Sequence, residues 1–526
     1  MFWAEEIAGH IQKEYSDKIK AKKPLIIRDE KTASGRVHVG SLRGVAIHGV
    51  VSEALTSAGV LNKYLFEIND FDPMDGLPIY LDQKEYSKYL GLPLCNVPSP
   101  DGKAKNFAEF YADEFIGVIR ELGFAPEFYR SSDLYKTGKY DDAIRLALLN
   151  ADKIRAIYKK VSGSERGADW FPVQIICENC GKVSTTKINA WNGEKASYVC
   201  ADLEWTKGCG HAGSVSPFGG KAKLPWKLEW AAKFKILGVD VEGAGKDHST
   251  KGGSRDVSET IAREVFGATP PFNIPYEFFQ VGGRKMSSSK GKGSSSREMA
   301  DLLPPHILRL LLIQKLPQRV IDFIPDGDTV PILYDNYDKL AADYFADANG
   351  ESASLFKHLH FAANAGLMNP RFLPRFSQIA YLVQMPHIDI KEQVKKEKGS
   401  DLTPDDIAEI DLRVKYAKYW LDAYAPEDYK FDLKKELPES AKNLSALQKE
   451  ALGKILEYIK SQKVLDGQEL HTKLHEIRKG MTIEPKAFFE ALYLIFLGKE
   501  SGPKAGWFFS VLDRKFVEKR LAEAAK

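Results

Sequence analysis

The amino-acid sequence predicts a doubly wound parallel α/β domain that carries a small insertion and is followed by an all-α module. Three observations predict this fold class. Strand and helix patterns alternate over the first 130 residues, which is typical of a parallel sheet with crossover helices. Gly, Trp and Cys then cluster between residues 163 and 225, where helical periodicity fades. From residue 301 onward, nearly every segment has helical periodicity.

Length and composition are those of a globular chain with several domains. The 526 residues exceed what one hydrophobic core usually organises. Hydrophobic residues make up 44% and charged residues 28%, so disorder is not expected. No stretch approaches the roughly 20 apolar residues that cross a bilayer, and the acidic start of the chain is unlike a signal peptide. With a net charge of only +3 and five cysteines, too few for a disulfide framework, we expect a cytoplasmic protein.

The α/β part is predicted element by element. Residues 1–23 predict an amphipathic helix, and residues 24–28 predict a buried strand. A helix is expected from Gly40 to Ala58, with Gly59 at its end. The later elements are predicted in chain order as a strand at 64–68, a helix at 107–122, a strand at 127–130, a helix at 228–237, a strand at 239–242 and a helix at 256–266. This order predicts a Rossmann-like domain.

Helix caps are the clearest local signals in the C-terminal part. Thr403-Pro404 followed by two acids favours a helix start, and Ser445–Gln448 fits a capping box. Residues 485–497 are bracketed by Pro485 and Gly498. The predicted segments of the whole chain are the first half of the Rossmann-like domain at 1–130, an inserted α/β region at 131–225, the second half at 226–300, a helical connective domain at 301–380 and an α-helical domain at 381–526.

The segment Thr32–Ser41 lies between the first predicted strand and the next helix. At this crossing of a doubly wound sheet, nucleotides bind at the carboxyl edge of the strands. Gly35 and Gly40 would let a phosphate approach the backbone, the helix start would offer free amides, and His38 would donate to phosphate oxygens. The segment is neither a Walker A loop nor a GxGxxG fingerprint. A glycine-rich turn with a solvent-facing histidine is the alternative.

A second segment, Gly283–Gly291, is rich in Lys, Ser and Gly and predicts a surface loop. Its lysines and hydroxyls would close over a triphosphate and neutralise the transition state. A charged, solvated linker is the alternative. The order and separation of this segment and the His-x-Gly turn therefore carry more information than either motif by itself.

Together the two segments resemble the two signatures of class I aminoacyl-tRNA synthetases, usually written HIGH and KMSKS. Ser41 replaces the last histidine of the first signature, so His38 is its imidazole. Ser288 replaces the second lysine of the other signature. Lys285 is therefore the main candidate for the catalytic lysine, with Lys290 displaced by two positions.

The resemblance narrows to the class I lysyl-tRNA synthetases and extends over most of the chain. The segments that resemble this family are 32–40 (T-x-S-G-x-x-H-x-G), 69–72 (the acidic D-[YF]-D segment), 226–230 (two spaced tryptophans), 243–248 (A-G-K-D-H) and 489–506 (the C-terminal helical region). The resemblance implies a lysine site formed by Thr32, Asp70, Asp72, Trp226, Trp230 and His248. It implies an ATP site formed by Gly35, His38, Gly40, Ser41, Gly243, Gly245, Asp247, Met286 and Ser287.

The chemistry of a bound lysine agrees with these residues, since an ammonium group needs carboxylates and aromatic faces. Asp70 and Asp72 would supply the acids, and Trp226 or Trp230 the aromatic wall. Ordinary alternatives exist, because a tryptophan pair four residues apart is often core packing and an aspartate at a strand end is often a helix cap. Glu30 stands where the family has a small residue near the substrate.

Four of the five cysteines lie between residues 177 and 209. Cys177, Cys180, Cys200 and Cys209 offer the four thiolates of a structural Zn²⁺ site, and His211 would substitute for one of the last two. A small insertion without a large core gains stability from such a zinc ribbon. Free or redox-active thiols are the alternative.

The resemblance also implies a reaction and its partners. L-lysine would be activated by ATP with Mg²⁺, and the lysyl group would pass to the 3′ end of tRNA(Lys). The C-terminal helices would form an anticodon-binding module. Candidate base contacts there are Arg413, Tyr416, Tyr419, Trp507 and Phe508, for which core packing is the alternative.

Three other functions fit parts of the sequence. They are a class I synthetase for arginine or glutamate, a nucleotidylyltransferase of small metabolites, and a non-catalytic RNA-binding relative. Asp70 and Asp72 favour a cationic substrate over glutamate, and the long helical C-terminal part exceeds what a nucleotidylyltransferase needs. The sequence does not determine the oligomeric state, and a monomer is expected.

Overall fold

A computed structural model describes residues 2–282, 294–350, 352–361, 369–385, 388–502 and 505–526, apart from the side chain of Asp428. The chain forms two compact units. The first contains Met1–Phe323 and Leu340–Leu367, and the second contains Ile324–Lys339 and Met368–Lys526. No helix among the described residues is both long enough and apolar enough to cross a membrane.

A parallel sheet organises the first unit. Its three paired strands are, in order across the sheet, β1 (Leu25–Thr32), β2 (Asn62–Asn69) and β3 (Glu127–Arg130). On the other side of β1, Val241 bridges Ile27 and Phe272 bridges Val241, both in parallel. The chain thus starts at the centre of the sheet and extends to both sides, so the predicted doubly wound α/β fold is confirmed.

Helices surround this sheet in the sequence order that the alternating pattern predicted. The helices that begin in the first unit or continue from one unit into the other are α1 (Trp3–Glu14), α2 (Ser16–Lys20), α3 (Ser41–Ser57), α4 (Gln83–Tyr86), α5 (Phe107–Glu121), α6 (Ser131–Lys136), α7 (Asp141–Leu149), α8 (Ala151–Ser162), α9 (Trp226–Leu237), α10 (Lys246–Ser249), α11 (Ser254–Ile261), α12 (Ser296–Leu302), α13 (Pro305–Ile313), α14 (Thr329–Ala346) and α15 (Ala353–Leu359). A π-helical turn at Ala262–Phe266 extends α11.

Two predicted elements differ in detail. The first predicted helix is divided at Tyr15, which leaves helical geometry (φ −101°, ψ 25°) while its hydroxyl donates to the Asp240 carbonyl at 2.7 Å. The strand predicted at 239–242 is reduced to the bridges of Val241. The helix predicted from Gly40 to Ala58 forms as α3, and Gly59 ends it with φ 75°, a conformation that glycine adopts at little cost.

The insertion and the edge of the first unit contain short strands. They are β4 (Gln174–Ile175), β5 (Thr186–Trp191), β6 (Ala196–Cys200), β7 (Ala212–Val215), β8 (Ala222–Lys223), β9 (Ala244–Gly245), β10 (Pro275–Tyr276), β11 (Phe279–Val281) and β12 (Ile321–Phe323). β5, β6 and β7 form an antiparallel sheet, and β4 pairs with β8. β9 pairs with β10, and β11 with β12, both in parallel.

The second unit is helical throughout its described residues. Besides part of α14, its α-helices are α16 (Phe376–Leu382), α17 (Ile390–Lys398), α18 (Pro404–Ala423), α19 (Ala446–Ser461), α20 (Gly467–Lys479), α21 (Pro485–Leu497), α22 (Ala505–Val511) and α23 (Arg514–Ala524). The predicted caps form, since Thr403 and Asp406 make a capping box at α18 and Ser445 and Gln448 make one at α19.

Candidate active site

The turn from β1 to α3 contains the predicted histidine. Gly35 has φ 154°, a backbone conformation that favours glycine. His38 is half-buried in this turn. The amides of Ser41, Leu42 and Arg43 donate to the carbonyls of residues 38–40 at 2.9–3.2 Å, so the expectation of free helix amides was wrong. α3 therefore favours an anion here through its dipole rather than through unpaired donors.

The described segment that follows the predicted lysine-serine loop lies against this turn. Val39 N donates to Ser294 O at 3.0 Å, and Ser296 N donates to Val37 O at 2.8 Å. His38 and Ser295 form an antiparallel bridge between these two bonds. The histidine turn and the segment 294–296, which are far apart in the sequence, thus meet at the carboxyl edge of β1. The loop residues proposed for ATP, namely Lys285, Met286, Ser287 and Lys290, lie outside the described residues.

Thr32 and Asp72 meet at the ends of β1 and β2. The Thr32 hydroxyl donates to Asp72 Oδ2 at 2.8 Å, and Lys223 Nζ lies 2.9 Å from Asp72 Oδ1. Asp70 points elsewhere, because its two oxygens accept from Ser132 N at 2.8 Å and Ser132 Oγ at 2.6 Å in the first turn of α6. Asp70 therefore caps α6, the alternative that the sequence left open, and Asp72 is the acid that faces Thr32.

Three aromatic rings proposed for lysine binding converge. Trp226 and Trp230 are stacked, with ring centroids 6.2 Å apart, and His248 meets their edges at 5.5 and 6.0 Å. Trp226 is 44% exposed, whereas Trp230 is buried and its Nε1 donates to Glu242 Oε1 at 2.7 Å. Trp230 is therefore part of the core, as the packing interpretation predicted, whereas Trp226 has an exposed face that a ligand could contact.

Two further glycines proposed for ATP, Gly243 and Gly245, follow Val241, which bridges β1 on the side away from β2. A Cβ on Gly243 would lie 2.5 Å from the Ile274 carbonyl, so only glycine fits there. Gly243 N donates to His48 Nε2 at 2.7 Å, and His48 Nδ1 donates to the Gly44 carbonyl at 2.8 Å. Buried His48 thereby joins α3 to this segment. His48 could not be singled out from the sequence, because a histidine inside an apolar helix matches no motif.

Gly245 and Asp247 follow this glycine. Gly245 is extended and starts the short helix α10, on which Asp247 keeps 41% of its side chain exposed. Lys246 is paired with Glu277 at 2.7 Å. The Asp247 carboxylate therefore remains accessible beside the carboxyl edge of the sheet.

A largely buried cluster of charged side chains includes Asp72 and contacts Trp230 through Glu242. Its members are the acids Glu30, Glu67, Asp72, Glu229 and Glu242 and the bases Arg28, Lys223 and Lys233. Lys233 Nζ lies 2.7 Å from both Glu30 and Glu67 and 3.2 Å from Glu229. Only Glu30 had been singled out in the sequence, together with Asp72. The available signal was the spacing 226, 229, 230 and 233, which puts Glu229 and Lys233 on the tryptophan face of α9.

The four cysteines of the insertion come together. The thiol sulfurs of Cys177, Cys180, Cys200 and Cys209 all lie within 4.8 Å of one another. Cys177 and Cys209 are 3.6 Å apart, and Cys180 and Cys200 are 3.7 Å apart, both beyond a disulfide bond. His211 is not part of this group and instead lies beside the ring of Tyr198. Four sulfurs at this spacing fit a tetrahedral zinc ion.

The chain is similar to known proteins along its whole length. A family model described as "tRNA synthetases class I (K)" matches residues 1–364, and one described as "Anticodon binding domain" matches residues 411–525. A lysine–tRNA ligase of Methanosarcina barkeri (strain Fusaro) is 33% identical over 99% of this chain and 97% of its own length. The lysine–tRNA ligases of Archaeoglobus fulgidus and Thermoplasma volcanium are 31% and 32% identical, over 100% and 93% of this chain and 100% and 94% of their own lengths.

The geometry and these matches agree on one family. The histidine turn and the segment after the lysine-serine loop meet at one edge of the doubly wound sheet. The matched family model covers this entire region. The resemblance seen in the sequence is confirmed, and the chain belongs to the class I (K) tRNA synthetases.

Proposed function

We propose that this protein is a lysine–tRNA ligase, which forms lysyl-adenylate from lysine and ATP and transfers the lysyl group to tRNA(Lys). The observation that carries the proposal is the pairing of Ser294–Ser296 with Val37–Val39. This pairing supports the proposal because the segment a few residues after the lysine-serine loop lies at the histidine turn, where one triphosphate would contact both the turn and the loop. The full-length similarity to lysine–tRNA ligases supports the choice of amino acid.

In the first step, a carboxylate oxygen of lysine attacks the ATP α-phosphorus, and pyrophosphate leaves with the bridging oxygen. Charge that develops on the phosphoryl oxygens would be stabilised by His38 and by the N-terminal dipole of α3. Lys285 and Lys290 would approach the phosphates from the loop. The protein thus acts by positioning and neutralising, as phosphoryl transfer requires.

Magnesium would neutralise the phosphates when it is bound. Among the described residues, the cysteine cluster is the only group of three or more metal-binding side chains. Both oxygens of Asp72 already bind Thr32 or Lys223. Mg²⁺ would therefore be held mainly by the ATP phosphates, as is usual for this ion.

The adenosine of ATP would lie beside Gly243, Gly245 and Asp247. Gly243 lets this segment pack closely against the Ile274 carbonyl, and the exposed Asp247 carboxylate would accept from ribose hydroxyls. Lysine would be held by Thr32, Asp72, His248, Trp226 and Trp230. Asp70 would act indirectly, because its bonds to Ser132 join the end of β2 to α6. The carboxylate and the aromatic faces would both attract the ammonium groups of lysine.

The cysteine cluster would hold one structural zinc ion. Metal analysis of the purified protein is expected to give about one zinc per chain. Cys177→Ser should lose the metal and lower the melting temperature, because the insertion has only short strands around the cluster. Cys95→Ser, outside the cluster, should keep it. A fully folded wild-type protein without metal would contradict the assignment.

The tRNA would use the second unit. A cavity of about 1050 Å³ lies there, lined by aromatic and polar side chains that include Tyr381, Tyr429, Trp507, Arg375 and Gln378. Aromatic faces next to hydrogen-bonding side chains suit unpaired bases of an anticodon.

Three of the candidate base contacts are part of the core of this unit. Arg413 is buried between Asp338 and Glu409, and Tyr416 and Phe508 are buried as well. Core packing therefore explains these three residues, and only Trp507 of the candidates lines the cavity.

Pyrophosphate exchange with each amino acid in turn tests the activation step. Exchange is expected with lysine, and exchange with arginine or glutamate but not lysine would contradict the proposal. Lysine attachment to a transcript with a lysine anticodon tests the transfer step. The same transcript with a different anticodon is the control, and equal charging of both would remove the anticodon role of the second unit.

A further inference from the structure

Glu30 is the accessible end of the buried charged cluster. Its side chain is 32% exposed, whereas those of Arg28, Glu67, Glu229, Lys233 and Glu242 are exposed by 4% or less. Asp72, at 21%, is the other member that solvent reaches. A ligand beside the ends of β1 and β2 would therefore meet this cluster through Glu30 and Asp72.

The two oxygens of Glu30 have different surroundings. Oε2 accepts from Arg28 Nη2 and, at 2.7 Å, from Lys233 Nζ. No donor among the described residues bonds to Oε1. Burial raises the pKa of Glu30, but Arg28 and Lys233 outweigh burial and hold that pKa well below its usual range. Glu30 is thus an ionised carboxylate with one oxygen anchored and the other open.

The two bases that hold Glu30 do not cancel its charge toward a ligand. Arg28 is paired with Glu67 and Glu242 as well as Glu30. Lys233 is paired with Glu67 and Glu229 as well as Glu30. Burial raises the pKa of Glu229 and Glu242, so the negative charge that a ligand would meet lies at Glu30 and Asp72, and this charge favours a cation there.

The position of Glu30 fits the length of a lysine side chain. Alternate residues of a strand share one face, so Glu30 and Thr32 lie on the same face of β1. They are separated by about 6.6 Å along the strand. An extended lysine side chain reaches about 6 Å from Cα to Nζ at standard bond lengths. A lysine whose main-chain atoms lie beside Thr32 would therefore bring its ε-ammonium to Glu30.

We propose that Glu30 Oε1 binds the ε-ammonium of the substrate lysine, and that Arg28 and Lys233 are positioning residues that fix the Glu30 carboxylate. Glu30 is then the residue that determines specificity for a cationic side chain. This inference rests on the proposed lysine activation and deepens it. It assigns a chemical role to a side chain that no sequence motif contains.

The test compares Glu30→Gln with Glu67→Gln in lysine-dependent pyrophosphate exchange. Glu67 is the matched control, because it also pairs with Arg28 and Lys233 but is fully buried and cannot touch a ligand. Loss of a charge-assisted bond predicts that Glu30→Gln raises the KM for lysine about 10- to 100-fold while the KM for ATP stays within about twofold. Glu67→Gln should lower the melting temperature without a comparable selective rise in the KM for lysine.

A ligand without charge separates recognition from architecture. The wild type should bind the alcohol analogue of lysine, which has a hydroxyl in place of the ε-ammonium, far more weakly than it binds lysine. In Glu30→Gln, the ratio of these two affinities should be about 10- to 100-fold smaller than in the wild type. If Glu30→Gln weakens lysine and the alcohol equally, or if Glu67→Gln reproduces its selective effect, Glu30 is structural and the inference fails.

Two further results keep the outcomes distinct. If Glu30→Gln does not fold, Glu30→Asp is used instead, and it should retain lysine selectivity with a smaller rise in KM. An unchanged KM for lysine in both variants would overturn the inference. If the wild type activates no lysine at all, the proposed function fails, and that result is separate from any result on Glu30.

Discussion

The two sides of the proposed active site differ in what forms them: backbone conformation on the phosphate side and charged side chains on the lysine side. The phosphate side uses backbone geometry, namely Gly35 at φ 154°, the start of α3 and the strand-like pairing of Val37–Val39 with Ser294–Ser296. The lysine side uses charged side chains from β1, β2, β8 and α9, held by ion pairs. The conformation of the turn and the start of α3 depends on consecutive residues, whereas the charged cluster depends on contacts between distant segments. We therefore expect substitutions on the lysine side to lower stability and substitutions on the phosphate side to lower the rate of activation.

The largest expected effect is on stability, on the lysine side. Lys223→Met removes the base that pairs with Asp72 and, among the described residues, leaves the buried Glu229 paired with Lys233 alone. Breaking a buried pair in this way costs about 3–5 kcal/mol of unfolding free energy, because a carboxylate stays buried without its partner. The measurement is the shift in urea-induced unfolding. Lys63→Met, which removes an exposed pair with Glu127, is the control and should leave the transition nearly unchanged.

A small effect of Lys223→Met on unfolding would weaken the contrast between the two sides. It would mean that Glu229 and Asp72 relax into solvent or accept protons at low cost. The lysine side would then be an adaptable surface rather than a preorganised cluster.

The next effect is on rate, on the phosphate side. His38→Ala should lower the rate of lysine activation by about 100-fold or more, because a donor to developing phosphoryl charge is lost. The affinity for tRNA and the melting temperature should barely change, since His38 is only half-buried. His10→Ala, an exposed histidine on α1, is the control. An unchanged activation rate would remove His38 from the mechanism.

This contrast also explains what the sequence could predict. The strand-turn-helix around His38, the aromatic wall and the set of four cysteines follow from local spacing, and the structure brings each set together. The ion pairs of Arg28, Glu67 and Lys233 could not be predicted, because they form only when β1, β2 and α9 pack together, although the spacing along α9 puts Lys233 on the tryptophan face. Their burial is a property of the assembled unit and not of any window of sequence.

Local contacts at two places differ from what the sequence suggested. The amides at the start of α3 are not free, because the turn tightens and its own carbonyls accept from them. Asp70 turns to α6 because Ser131 and Ser132 follow β3 directly and present donors to it. Both are competitions between nearby partners, and residue types at a given spacing do not decide such competitions.

The smallest expected effect is on lysine binding, at the exposed Trp226. Trp226→Ala should raise the KM for lysine only about two- to fivefold, because a cation beside an exposed aromatic face gains about 0.5–1 kcal/mol. Trp205→Ala is the matched control, since Trp205 is 41% exposed but lies in the insertion. A rise of 100-fold or more would make the aromatic wall, rather than the charged cluster, the main source of lysine binding. An equal effect of both variants on stability alone would show that Trp226 only shields Trp230, whose bond to Glu242 joins the wall to the cluster.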